Sequence, residues 1–231
     1  MNKRQITGSD NFTLDSTRLR FFGGTSNHWG GLSRPLDEHD FLPKLQNPGS
    51  GWPIRKSELD PYVEETKSIL DLDSDVTASC PDDPQYDLDG FEKIEFWRSA
   101  PTRLKEKYGD EIRESENISC YLNANVVDLR FGPNDSRIDI MEVRDYADRS
   151  FAVNAGVYVI AAGAIENPRI LLNSNSQLPN GVGNENDLVG RFFSEHPHFN
   201  VGHFVLEEGQ RERIQDPLGR MFSCFYGPTR E

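Results

Sequence analysis

The chain has 231 residues, a hydrophobic fraction of 35% and a formal net charge of −13 at pH 7. This length permits one large domain with a sizeable core, and the acidic balance excludes nucleic-acid binding, which requires clustered Lys and Arg. The three cysteines form no CxxC pair and therefore indicate neither a zinc site nor a redox motif.

A glycine-rich segment is the first feature with functional character. It reads Gly23-Gly-Thr-Ser-Asn-His-Trp-Gly-Gly31 and follows the apolar pair Phe21-Phe22. Glycine permits tight turns and close approach of a ligand to the backbone. His28 and Trp29, between two glycine pairs, are suited to lie against a flat aromatic cofactor.

Two amphipathic helices are predicted next. Ser57-Glu-Leu-Asp60 has the pattern of a capping box, which predicts a helix to about Leu70. Residues 71–92 are rich in Asp, Pro and Ser and are expected to form a loop. After Pro101, apolar residues at four-residue spacing predict a second helix. They are Leu104, Tyr108 and Ile112.

The pattern then changes to strands. Residues 121–130 and the alternating apolar positions in 138–140 and 151–153 predict a β-meander with turns at 132–135 and 147–149. Residues 156–163, Gly-Val-Tyr-Val-Ile-Ala-Ala-Gly, are nearly all apolar, which predicts a parallel strand covered on both faces.

A turn of small residues follows that segment. Ala161-Ala-Gly-Ala164 precedes Asn167 and Pro168, which are expected to cap and open a helix through Leu172. Small side chains let a cofactor approach the backbone at such a strand-to-helix turn. The same residues also serve tight packing of a strand against a helix, so this turn alone leaves both interpretations open.

Taken together, these motifs resemble the glucose-methanol-choline (GMC) oxidoreductase family. Residues 23–31 resemble its flavin-contacting loop, and residues 51–62, 161–172 and 188–197 occur in the order that the family uses. The resemblance covers roughly residues 18–200, a span that fits one large domain.

The resemblance implies an α/β fold: an FAD-binding, doubly wound Rossmann-like sheet with a β-meander crossover, plus part of a substrate domain, incomplete at both ends. Residues 1–56 and 119–200 would belong to the FAD-binding domain, and residues 57–118 and 201–231 to the substrate domain. In the family, an alcohol, here expected to be a sugar or polyol, passes hydride to FAD. The motifs do not specify the electron acceptor.

The resemblance also implies which residues contact FAD. The loop would surround the flavin and its pyrophosphate side, and Val126 resembles a strand residue whose backbone meets adenine. In some relatives a histidine matching His28 bonds covalently to the flavin, and in others it only packs or hydrogen-bonds beside the ring. The predicted FAD contacts are Gly23, Gly24, Thr25, Ser26, Asn27, His28, Trp29, Gly30, Gly31, Val126, Ala162, Gly163 and Ala164.

Two features of the family pattern are missing from this sequence. It has no GxGxxG turn, and no residue aligns with the catalytic C-terminal histidine. We therefore expect a central fragment that is inactive alone, or a truncated product that binds no flavin. A third hypothesis is a metal site at His196, His198 and His203, since alternate residues of a strand share a face.

Two features of the sequence bear on the cellular location of the protein. The first residues are polar and contain no secretory signal. The longest apolar stretch, residues 156–165, is roughly half of what a membrane-spanning helix requires. A cytoplasmic location is the default expectation, unless an export signal lies on a further segment or on a partner.

Overall fold

A computed structural model describes residues 17–45, 48–72, 77–78, 87–100, 102–133, 137–193 and 225–229. The chain divides into two compact units: Met1–Ile118 with Phe204–Glu231, and Ser119–His203. The architecture is mixed α/β, as predicted. The assignment of residue ranges to FAD-binding and substrate domains stays a prediction.

The helices and strands are short. The helices are α1 (Lys56–Leu59), α2 (Val63–Leu70), α3 (Leu104–Glu114) and α4 (Glu166–Asn173). The strands are β1 (Leu32–Ser33), β2 (Thr77–Ala78), β3 (Phe91–Ile94), β4 (Phe96–Arg98), β5 (Asn125–Phe131), β6 (Ile138–Arg144), β7 (Ser150–Val153) and β8 (Phe225–Pro228). Within the described ranges, every strand pair is antiparallel.

In the first unit, both predicted helices are present, but the first differs from its prediction in continuity and in its cap. The first is split, because a 3-10 turn at Asp60–Tyr62 separates α1 from α2. Its cap also differs from the prediction: the Glu58 carboxylate, not Ser57, accepts a hydrogen bond from the Arg55 N–H at 2.9 Å. The second helix, α3, contains the predicted apolar positions, while Pro101 lies outside the described residues.

The sheets of the first unit are built from distant segments. One has the strand order β1-β4-β2, and the other pairs β3 with β8. The prediction of a loop over residues 71–92 was therefore wrong at β2 and at the start of β3. These segments carry little hydrophobic periodicity, and pairing with remote strands, which local patterns do not reveal, makes them extended.

The second unit contains the predicted β-meander. Strand β6 lies between β5 and β7, with Leu129 opposite Met141 and Val143 opposite Phe151. The turn between β6 and β7 is held by the Asp145 carboxylate, which accepts hydrogen bonds from the Ala147 and Arg149 N–H groups, each at 2.9 Å. The meander prediction is confirmed.

Helix α4 covers this sheet, and two residues that follow the helix accept hydrogen bonds from the outer edge of β5. Leu129, Val143 and Ile170 are buried between the sheet and the helix. The Ser174 hydroxyl accepts a hydrogen bond from the Leu129 N–H at 3.1 Å, and the Gln177 side chain accepts one from the Phe131 N–H at 2.7 Å. These contacts matter because an unpaired, buried backbone group is costly.

The prediction of a parallel strand over residues 156–163 was wrong. The segment has no strand hydrogen bonds, and Val157 and Val159 are each 79% exposed. A strand exists only where a neighbour pairs with its backbone, and no described strand lies beside this one. The doubly wound sheet that depended on it is absent from the described residues.

Helix α4 begins one residue before its predicted cap. Glu166 is its first residue, and Asn167 lies inside its first turn, where its side chain accepts a hydrogen bond from the Ala162 N–H at 2.8 Å. Among the described helices, none combines the length and the apolar character needed to cross a bilayer.

Candidate cofactor-binding site

The segment Gly23–Gly31 forms a tight loop in the first unit. A 3-10 turn occupies Gly24–Asn27, and the φ angles of Gly23, Gly24 and Gly31 are +87°, +54° and +76°. Residues that carry a Cβ rarely adopt this left-handed region of φ. The glycines therefore have a structural role in shaping this loop.

Polar side chains within the loop stabilise its own backbone. The Ser26 hydroxyl donates to the Gly23 carbonyl at 2.6 Å. The Asn27 amide donates to the Phe22 and Gly24 carbonyls at 3.1 and 2.8 Å. The Thr25 hydroxyl accepts a longer hydrogen bond, 3.4 Å, from the Leu19 N–H. The loop is thus organised before any ligand arrives.

A second segment, residues 99–103, is distant from the loop in sequence and anchors it. The Trp29 indole N–H donates to the Thr102 carbonyl at 2.6 Å. The Arg103 guanidinium donates to the carbonyls of Ser26 and Trp29 at 3.0 and 3.2 Å. The Ser99 N–H donates to the Gly31 carbonyl at 2.9 Å. The middle and the C-terminal end of the loop are therefore attached to residues 99–103.

Thr102 connects this anchor to the end of α2. Its buried hydroxyl lies 2.7 Å from both the Leu70 carbonyl and the Asp71 carboxylate. Lys107 donates to the same carboxylate at 2.6 Å. The hydrogen bonds from Lys107 and Thr102 lower the pKa of Asp71 below its ordinary value of 3.8, because they favour the charged carboxylate. The polar chain from Trp29 to Lys107 ties the loop to α2 and α3.

One face of the loop is open. A Cβ built on Gly24 or Gly30 would have no atom within 4 Å, whereas one on Gly23 would meet Lys105 Cβ at 2.8 Å. His28 is exposed. The loop therefore packs on α3 at Gly23 and presents bare backbone at Gly24 and Gly30, where a planar ligand can approach closely.

The remaining predicted FAD contacts lie in the second unit. Ala162, Gly163 and Ala164 form an exposed turn before α4, in which Gly163 has a φ of +92° and open space at its Cβ position. Val126 lies in β5, half-buried, opposite Val143. The structure thus brings Gly23–Gly31 together in one unit, and the other predicted contacts lie in another.

Thr102 and Arg103 are the residues that sequence reasoning missed. They were predicted to lie only at the start of a helix in the substrate domain, yet they hold the loop. No local signal identifies them, because the contacts join segments distant in sequence. The metal-site hypothesis falls on His196, His198 and His203, which lie outside the described residues. In the part of the chain that is described, no group of His, Cys, Asp and Glu is arranged to hold a metal.

The chain is similar in sequence to a dehydrogenase subunit. It is 23% identical to the fructose dehydrogenase large subunit of Gluconobacter japonicus over 238 residues. The alignment covers 83% of this chain and 44% of that protein, so the chain spans less than half the length of its relative. No protein-family model matches the sequence.

Proposed function

We propose that this chain is part of an FAD-dependent oxidoreductase of the GMC type that acts on CH–OH groups, with a sugar or polyol as substrate. The observation that carries the proposal is the Gly23–Gly31 loop, preformed, anchored by Thr102 and Arg103, and open at Gly24 and Gly30. The loop occurs in a chain that is similar to a dehydrogenase subunit. This similarity favours a cofactor-binding role for the loop in an oxidoreductase over a purely structural role.

The residues present fit a flavin in a defined way. Bare backbone at Gly24 and Gly30 admits a planar ring, and the fixed loop limits the entropy that binding must cost. Trp29 would contribute its ring face only, since its N–H is already bonded to Thr102. When bound, FAD supplies the hydride acceptor for oxidation of an alcohol carbon to a carbonyl. In this proposal the protein positions the ring.

His28 is the residue proposed for direct attachment to the flavin. It is exposed and precedes Trp29 and Gly30 in the loop. Such a link would replace the imidazole N–H and one flavin C–H by an N–C bond, and the two electrons released would reduce the flavin, which the enzyme's electron acceptor would then reoxidise. Intact mass of the denatured holoprotein tests this, with His28→Ala as the comparison. An FAD-sized mass excess that disappears in His28→Ala supports attachment, and its absence in the unsubstituted protein refutes it.

The substrate class and a partner subunit rest on the relative alone. The relative is a fructose dehydrogenase, which supports a sugar as substrate, and it is a large subunit, which supports assembly with a second polypeptide. Because this sequence has neither a GxGxxG turn nor the family's catalytic histidine, those functions would come from residues outside it. Turnover of sugars is therefore expected only with these parts supplied.

The central test is FAD binding by the 231-residue chain, measured by quenching of flavin fluorescence. Gly30→Val adds a side chain to the open face, where nothing lies within 4 Å and φ is not left-handed, so folding should be unaffected. We expect Gly30→Val to weaken FAD binding about tenfold or more, which corresponds to roughly 1.4 kcal/mol.

Gly156→Val is the matched control. Gly156 also has open space at its Cβ position and no left-handed φ, but it lies in the other unit. We expect unchanged FAD affinity in this variant. Equal weakening in both variants would refute a flavin site at the loop. If the unsubstituted chain binds no FAD, the result supports the alternative of a non-catalytic product that binds no flavin.

A further inference from the structure

A cavity of about 340 Å³ lies in the first unit, apart from the loop. It is lined by residues of α2, by Ser33 of β1 and by Trp97 of β4. None of the residues Gly23–Gly31 contributes to its wall. A ligand held there would therefore be additional to the proposed flavin, and it can be tested without FAD.

The cavity has a buried apolar floor and an exposed apolar mouth. Phe41 and Leu72, both buried, form part of its wall. At the opening, Leu36, Leu59 and Tyr62 are 45%, 41% and 61% exposed. Small-molecule sites have this character: a concave, mostly apolar pocket that is open to solvent on one side.

The charged residues in the wall are already neutralised within the chain. Arg34 donates to the Asp37 carboxylate at 2.8 Å, and Lys56 is paired with Asp60. The Thr66 hydroxyl, also in the wall, donates to the Tyr62 carbonyl at 2.9 Å. A charged ligand would have to break one of these pairs or be buried without a counter-ion, which is costly. The wall therefore favours an uncharged ligand.

The volume and the aromatic wall define the ligand further. An apolar protein cavity of about 150 Å³ accommodates benzene, so a cavity of 340 Å³ has room for two fused rings. Phe41 and Tyr62 offer ring faces and edges for stacked or tilted contacts, and Trp97 offers the ring surface that the Lys67 ammonium, 4.3 Å from its centroid, does not cover. We propose that this cavity is a binding site for an uncharged aromatic molecule with two rings.

The experiment titrates the 231-residue chain with prodan, an uncharged naphthalene dye whose emission shifts to the blue in an apolar site. Val63 is in the wall, and Val63→Trp fills the cavity. Val157→Trp is the same substitution at an exposed position of the other unit. We expect Val63→Trp to weaken prodan binding about tenfold or more, and Val157→Trp to leave it unchanged. Circular dichroism verifies folding.

Two outcomes overturn the proposal: no blue-shifted binding by the unsubstituted chain, or equal binding by Val63→Trp. If Val63→Trp fails to fold, Leu36→Lys replaces it, because Leu36 is exposed at the mouth and a charge there opposes entry of an apolar ligand. Weaker prodan binding in Leu36→Lys supports the site, and unchanged binding refutes it.

Discussion

Strand β5 and the segment of residues 156–163 belong to the same unit and are both rich in apolar residues, yet they end in opposite environments. In β5, Leu129 is 3% exposed, with β6 on one side and α4 on the other. In the other segment, Val157 and Val159 face solvent. The more continuously apolar of the two segments is the less buried.

Backbone pairing explains the difference. Both edges of β5 are satisfied, one by β6 and the other by Ser174 and Gln177. Tyr158 joins residues 156–163 to β6: its hydroxyl donates to the Asp139 carbonyl at 2.6 Å and accepts from the Ala155 N–H at 3.0 Å. Apolar side chains favour burial, but a strand is buried only where hydrogen-bonding partners are available.

The largest effect on the free energy of unfolding is expected for a substitution in β5, the buried segment. Leu129→Ala should lower the free energy of unfolding by about 3 kcal/mol, because it removes buried methyl groups and leaves a cavity between β5 and α4. Urea denaturation monitored by circular dichroism measures the change. Leu188→Ala, at a position 58% exposed in the same unit, should change it by less than about 0.5 kcal/mol. Equal effects would contradict the core described for this unit.

A smaller effect is expected at the attachment of the exposed segment. Tyr158→Phe removes the hydroxyl that joins residues 156–163 to β6, and should cost about 1 kcal/mol. Hydrogen exchange should also show faster exchange of the Ala155 amide, which has lost its acceptor. Tyr146→Phe, at an exposed turn position, is the control. Unchanged exchange in Tyr158→Phe would mean that other contacts hold the segment.

The smallest effect is expected within the exposed segment itself. Val159→Ala should change the free energy of unfolding by less than about 0.5 kcal/mol, since the side chain is mostly in water. The same substitution at buried Val143 should cost about 2 kcal/mol. A loss of more than about 1 kcal/mol at Val159 would show that residues 156–163 are covered in solution, as a paired strand would be.

Elements that depend on local patterns were predictable. The four-residue spacing in α3 and the alternation in β5 to β7 reflect side chains that share one face of a single element. The turn before β7 was predicted at residues 147–149, and the structure shows that the Asp145 carboxylate holds it by accepting hydrogen bonds from the Ala147 and Arg149 N–H groups. By contrast, β2 and β8 have no strong local pattern and are extended because β4 and β3 pair with them.

The candidate site likewise has features that the sequence predicted and features that it did not. Its glycine-rich loop was recognisable from neighbouring residues, and the structure shows why Gly23, Gly24 and Gly31 suit it: each has a left-handed φ. The anchoring by Thr102 and Arg103 was not recognisable, because it joins residues that only the fold brings together. The same applies to the cavity beside α2, whose wall comes from several separate segments.

The sequence by itself determined the helix and meander periods, the acidic surface and the glycine loop, because each depends on residues close together in the chain. Tertiary structure alone decided which apolar segment is buried, what holds the loop and where a cavity remains. These depend on which distant backbone groups become partners, and the free energy of burying a segment is favourable only after those partners are in place.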